Sequence, residues 1–171
     1  MAPFGIRVLQ AKVKKFEIQA DIQSVSLHAA RLASMELVAP AVVDDSGLFV
    51  DALGGFPGPY SSYVQQTIGI SGVLRLMKEA GDRRAAFKCA VGYADVTRGL
   101  EAVFLGEAKG YVRTRPAGKG GFGFDPIFSP FGISGKSFAE MSDEEKSRLS
   151  HRGMAFRKLA NFLAGMQGER R

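Results

Sequence analysis

Two adjacent carboxylates, Asp44 and Asp45, follow the apolar run Ala41-Val42-Val43 and precede Ser46-Gly47. A short buried strand ending there delivers both acid groups at its C-terminal end. With Glu17 they make an oxygen-donor set suited to a hard cation. Magnesium keeps several waters and needs only one or two protein carboxylates beside phosphate oxygens. The same residues also suit a plain turn whose aspartates cap a helix or bend the chain. A second constellation is Gly120-Gly121-Phe122-Gly123-Phe124-Asp125-Pro126. Glycines let a backbone approach a ligand closely; an aromatic ring stacks on a base, and a carboxylate accepts from a base N–H. The alternative is a loop carrying two core aromatics. No Gly-Lys-Ser/Thr follows, so it is not a Walker phosphate loop. The third constellation is Lys146 with Ser150-His151-Arg152. Histidine beside arginine at a helix N-terminus forms a donor cluster for phosphate or for a carbonyl oxygen. A lone histidine otherwise serves structure.

These residues need elements to position them. Ile6 to Val13 alternates enough to predict a strand, and Asp21 to Leu37 a helix with Ile22, Val25, Ala29, Leu32 and Ala33 on one face. Leu48-Phe49-Val50 continues extended structure, and Gly54 to Pro59 forms a tight loop. Helical segments follow from about Tyr60 and from Ser71 to Glu79, stopping at Gly81. Ala85 to Asp95 and Leu100 to Val112 read as two strands of an antiparallel hairpin around Thr97-Arg98-Gly99. Ser142 and Glu145 have capping-box spacing, so a helix starts there. A last helix begins near Ser150, with Ala155, Leu159, Phe162, Leu163 and Met166 at core spacing. The pattern predicts an α/β fold with a mixed sheet flanked by helices and a second, smaller lobe.

Composition narrows the function classes. The 171 residues are 46% hydrophobic and 23% charged, enough to bury a core. No apolar run is long enough for a membrane span, and no secretory signal pattern appears. A single cysteine, Cys89, cannot form an internal disulfide and fits a reducing cytoplasm; in Phe87-Lys88-Cys89-Ala90 it reads as a core strand residue, not a nucleophile. The net charge of +6 fits scattered solvated charge with a basic tail, Glu169-Arg170-Arg171, or a phosphate-rich partner. No zinc-finger or RNA-recognition signature is present, so a small nucleotide is favoured over nucleic acid.

The order of the motifs is more specific than any one of them. Asp44 to Ser61, then Gly-Phe-Gly-Phe-Asp-Pro-Ile-Phe, then Phe-Ala-Glu-Met-Ser-x-Glu-Glu-Lys, then Ser-His-Arg-Gly together resemble the inosine triphosphate pyrophosphatase family, from about Ile6 to Leu163. The Pro-Gly-Pro-Tyr-Ser-Ser-Tyr-Val stretch is most similar to archaeal members. The resemblance implies an elongated mixed sheet with two lobes around a cleft, a homodimer, and Mg2+. It implies cleavage of inosine, deoxyinosine and xanthosine triphosphates between the α- and β-phosphates. By the same resemblance Glu17 and Asp45, with Asp44 beside them, hold the metal, and Asp45 is the base that activates water. Ser46 contacts substrate, Phe122 stacks on the purine, and Gly123 and Phe124 shape the pocket. Asp125 binds the base edge, and Lys146, His151 and Arg152 complete the nucleotide site.

One departure stands out. The family opens with a strand ending in a Ser/Thr-x-Asn-x-x-Lys loop that grips the triphosphate, and this sequence lacks that motif. Ala2-Pro3-Phe4-Gly5 reads as the end of a helix running into a strand. The expectation is one domain without its first strand and helix, about 15 to 20 residues, the true start lying upstream. The alternative is a catalytically impaired nucleotide-binding or interaction protein.

Overall fold

A computed structural model describes residues 7–13, 18–133 and 135–168. Its centre is the expected hairpin, β2 (Arg84–Asp95) and β3 (Leu100–Val112), paired antiparallel. β2 alternates in the way a strand covered on both faces requires: Phe87, Cys89, Val91 and Tyr93 point one way, and Ala86, Ala90, Gly92 and Ala94 the other. β1 (Ala41–Val50) pairs with β2 and β4 (Phe128–Pro130) with β3, giving the order β1-β2-β3-β4. Every pairing among the described strands is antiparallel, whereas the sequence reading expects a mixed sheet.

Two further expectations are corrected. β1 does not end at the carboxylates but runs through them to Val50, all ten residues paired with β2. Residues 7–13, expected as most of a strand, carry no regular structure. Val8 and Leu9 stand 59% and 71% exposed, so their alternation finds no sheet face to bury against. The helix-end reading at Ala2 to Gly5, the tail Glu169 to Arg171 and Glu17 lie outside the described residues.

α1 (Ile22–Leu37) begins where Asp21 caps it, its Oδ1 accepting from Gln23 N and Ser24 N at 3.0 and 2.9 Å. It covers the Gly92 face of the sheet. A Cβ at Gly92 would lie 2.4 Å from the Ser26 carbonyl oxygen, so only glycine admits the helix there. α5 (His151–Gly168) covers the other face, seating Ala155 and Leu159 on Cys89, Val91 and Tyr93. Gly106 makes room for its first turn, since a Cβ there would meet the His151 carbonyl oxygen at 1.9 Å. α2 (Ser61–Thr67) and α3 (Gly69–Leu76) close the same face further along, where Val64, Val73 and Met77 join Leu48, Val50, Phe87, Phe128 and Phe138. Burying each such side chain contributes roughly 1.5–3 kcal/mol. The two clusters meet at Phe87 and Cys89. α4 (Asp143–Leu149) carries the predicted capping box between Ser142 and Glu145. Among the described residues no helix is long and apolar enough to cross a membrane.

Candidate active site

The period of two along β1 separates the paired carboxylates. Asp44 stands opposite Val91 and Ser46 opposite Cys89, on the α5 face; Asp45 stands opposite Ala90, toward α1. The Oδ2 of Asp44 accepts from Arg152 Nε at 2.9 Å. Sequence reading treats the two aspartates as one group, but the strand gives each its own surroundings. Asp45 and Ser46 border two cavities. One, of about 350 Å³, is also lined by Phe87, Phe122, Gly123, Phe124, His151 and Arg152, with Asp44 in the same wall. The other, of about 280 Å³, includes Val25, Tyr60 and Tyr63. Among the described residues no three His, Cys, Asp or Glu side chains gather as a complete metal-ligand set.

The glycine loop is fixed from beneath. Gly121 and Gly123 take φ of +72° and +58°, which glycine adopts without a Cβ penalty. A Cβ on Gly121 would lie 2.3 Å from Asp125 Oδ2. That oxygen accepts from Phe122 N at 2.6 Å and from Lys146 Nζ at 2.5 Å, and Asp125 is only 1% exposed. Asp125, expected at the base edge, therefore stands behind the loop as a buried, charge-assisted anchor. Lys146 likewise reaches the site from behind: its Nζ lies 4.5 Å from the Phe122 ring centroid, and Arg152 Cζ lies 5.2 Å from it. Phe122 is 57% exposed and presents an open ring flanked by two cations. Phe124 is buried and packs in the core while also lining the cavity, whereas Phe122 stands outside the core.

His151 opens α5 just after Ser150, whose Oγ accepts from Gly153 N at 3.0 Å. Its ring lies nearly parallel to Phe87, centroids 4.9 Å apart. It is 3% exposed, and its Nδ1 has no hydrogen-bond partner among the described residues. Burial, with Arg152 and Lys146 adding repulsion, pushes its pKa down to about 3. The imidazole is neutral and suits a carbonyl oxygen better than a phosphate. Cys89 is buried and its thiol is pushed up to about 11, chiefly by burial. It is a core residue, as its position in β2 implies.

Sequence reading missed α2 as a wall of the site. Ser61, Ser62, Gln65 and Gln66 all line the larger cavity. Their i, i+4 spacing is the signal that places them on one polar face. Ser61 Oγ accepts from Leu48 N at 2.8 Å and donates to Gly58 O at 2.7 Å, fastening the Gly54 to Pro59 loop to β1. Gly47 permits that contact, since a Cβ there would lie 2.1 Å from Gly58 O.

Known proteins are similar to this chain in sequence and fold. The profile of the Ham1 family matches residues 3–162. The chain belongs to the Ham1 family. Against this Ham1-family chain, a dITP/XTP pyrophosphatase of Thermococcus kodakarensis is 48% identical over 162 residues, covering 94% of this chain and 86% of that protein. One from Pyrobaculum aerophilum is 46% identical over 164 residues, covering 95% and 86%. Among solved structures, the Staphylococcus aureus Ham1 protein matches with a TM-score of 0.84 at 31% identity, over 90% of this chain and 82% of that one. The α/β fold of this Ham1-family chain is thus that of its solved relatives.

Proposed function

We propose that this chain hydrolyses inosine, deoxyinosine and xanthosine triphosphates to the monophosphate and pyrophosphate, keeping deaminated purines out of DNA and RNA. The observation that carries the reading is the one cavity in which the open Phe122 ring, neutral His151, Arg152 and the β1 carboxylates meet. Relatives named dITP/XTP pyrophosphatase at 46–48% identity support the substrate class.

Each group then has a task set by its surroundings. Phe122 stacks on the purine, and Lys146 and Arg152, each paired with a carboxylate, flank the ring and hold it in place. The base carries a carbonyl at position 6 where adenine carries an amino group. N–H donors from His151 or Arg152 suit the carbonyl and meet adenine's own donors badly; sites built this way discriminate by up to about 10⁴ to 10⁵. Asp45 takes the proton of the water that attacks phosphorus, and the α–β anhydride bond breaks with pyrophosphate leaving. Asp45 and Ser46 supply oxygen donors of the kind a hard cation takes, while Asp44 is drawn to Arg152. Asp45 would hold Mg2+, with Glu17 as the expected second ligand; when bound, the ion neutralises phosphate charge and lowers the pKa of water. The reading includes a homodimer in the cytoplasm.

A pyrophosphate-release assay tests it. Inosine and xanthosine triphosphates should turn over in a magnesium-dependent way, and adenosine triphosphate far more slowly. Equal turnover of adenosine triphosphate, or release of orthophosphate, overturns the assignment. Tight inosine triphosphate binding without turnover would favour the impaired-binder alternative.

A further inference from the structure

We propose that Gln65 of α2 binds a sugar hydroxyl of the nucleotide, linking base recognition at Phe122 to phosphate placement at Asp45. The inference rests on the nucleotide reading above and adds a residue to it. Gln65 lines the 350 Å³ cavity, and its Oε1 is buried with no hydrogen-bond partner among the described residues. Buried amide oxygens in native proteins are nearly always paired, so one left over in the wall of a site points to a ligand. Ser61, one turn earlier, differs: its hydroxyl is already committed to Leu48 N and Gly58 O.

Position along α2 selects the part of the ligand. Ser62 borders both cavities, alongside Asp45 and Ser46, where the reacting phosphate belongs. Of these two cavities Gln65, three residues further on, borders the ring-lined one alone. The sugar is what lies between a purine on Phe122 and a phosphate at Asp45. Chemistry agrees. A sugar hydroxyl both donates and accepts, and a carboxamide offers one acceptor and two donors. The match therefore holds whichever way the amide is turned about its soft last torsion. A base edge demands fixed polarity, which His151 and Arg152 supply.

Gln65→Leu keeps the bulk of the side chain and removes both polar atoms. The kcat/KM of wild type and variant, each with inosine triphosphate and its 2′,3′-dideoxy analogue, form a four-cornered cycle. The variant should lose about 5- to 10-fold on inosine triphosphate, the size of one net hydrogen bond, mostly through KM. On the dideoxy analogue it should lose less than about twofold. Gln65→Glu, which keeps an acceptor at the same reach, should retain the difference between the substrates. An equal loss on both substrates, no loss on inosine triphosphate, or no retained difference in Gln65→Glu overturns the proposal. Should the wild type release no pyrophosphate, the activity reading fails by itself. Gln65 is then judged by calorimetric titration with inosine monophosphate and its dideoxy counterpart, where the same difference is expected and its absence overturns the proposal.

Discussion

At one end of the sheet face that α5 covers, Tyr93 meets Phe162 at 5.8 Å amid Leu159, Leu163 and Val91. At the other end, Phe87 meets Phe128 at 4.8 Å, Phe138 at 5.8 Å and His151 at 4.9 Å. Both ends are ring clusters on the same strand. The Tyr93 end packs mainly apolar side chains, with the Cys89 thiol and the Tyr93 ring, beneath the helix. The Phe87 end buries an imidazole among its rings and, behind the neighbouring loop, the Asp125–Lys146 ion pair. Burying such groups costs free energy that their pairing, hydrogen bonds and the surrounding packing must offset. One strand thus supplies both a region that stabilises and the region proposed to recognise the nucleotide.

Four substitutions or conditions sharpen that separation, from the largest expected effect to the smallest. Asp45→Asn removes the proposed base and weakens the metal site, so turnover should fall by about 10² to 10⁴, with the thermal midpoint little changed. Normal turnover in that variant would remove Asp45 from the reaction. Leu159→Ala, at the apolar end, should cost about 2–5 kcal/mol in urea unfolding and leave the kcat/KM of the folded fraction intact. A matching loss of activity would show that the two ends are not separable. Phe122→Ala should weaken all purine substrates together by about 1–3 kcal/mol without altering stability, because the ring is exposed; a change confined to one base would contradict stacking. The smallest effect is the pH dependence of His151. Its folded pKa of about 3 lies below its ordinary 6.5, so below pH 6.5 the unfolded chain binds a proton that the folded chain refuses. Stability is full above that pH and should fall by up to about 1.4 kcal/mol per unit below it. Urea midpoints at several pH values between 7.5 and 5 check this, and His151→Asn should flatten the slope.

How far the sequence is readable differs between the same regions. β2 and β3 declare themselves because alternation is a local signal and both strands are long. The capping box at Ser142 is equally local. β1 was harder: two aspartates resemble a strand end, and only pairing with β2 carries the strand through them. The partner of Asp44 lies 108 residues away at Arg152, and no local pattern announces it. The motif order names most of the residues that line the Phe122 cavity, yet it gives no sign that Asp125 anchors the loop from behind. Nor does it single out Gln65, because a glutamine on a short helix looks like any solvated residue until the cavity is seen.

The seat that Gly106 provides for α5 bears on synthesis. Residues 84–112 emerge from a ribosome well before residues 151–168, and chains grow at roughly 5–20 residues per second. For several seconds the nascent hairpin can close its turn and bury its Gly92 face under α1, while Cys89, Val91 and Tyr93 lie bare. Only the arrival of the last helix covers them, and the same docking carries His151 and Arg152 to Phe87 and Asp44. Completion of this layer and assembly of the proposed nucleotide site are thus one event, and a chain stalled before residue 151 offers a chaperone an apolar strand face without the groups proposed to read the base.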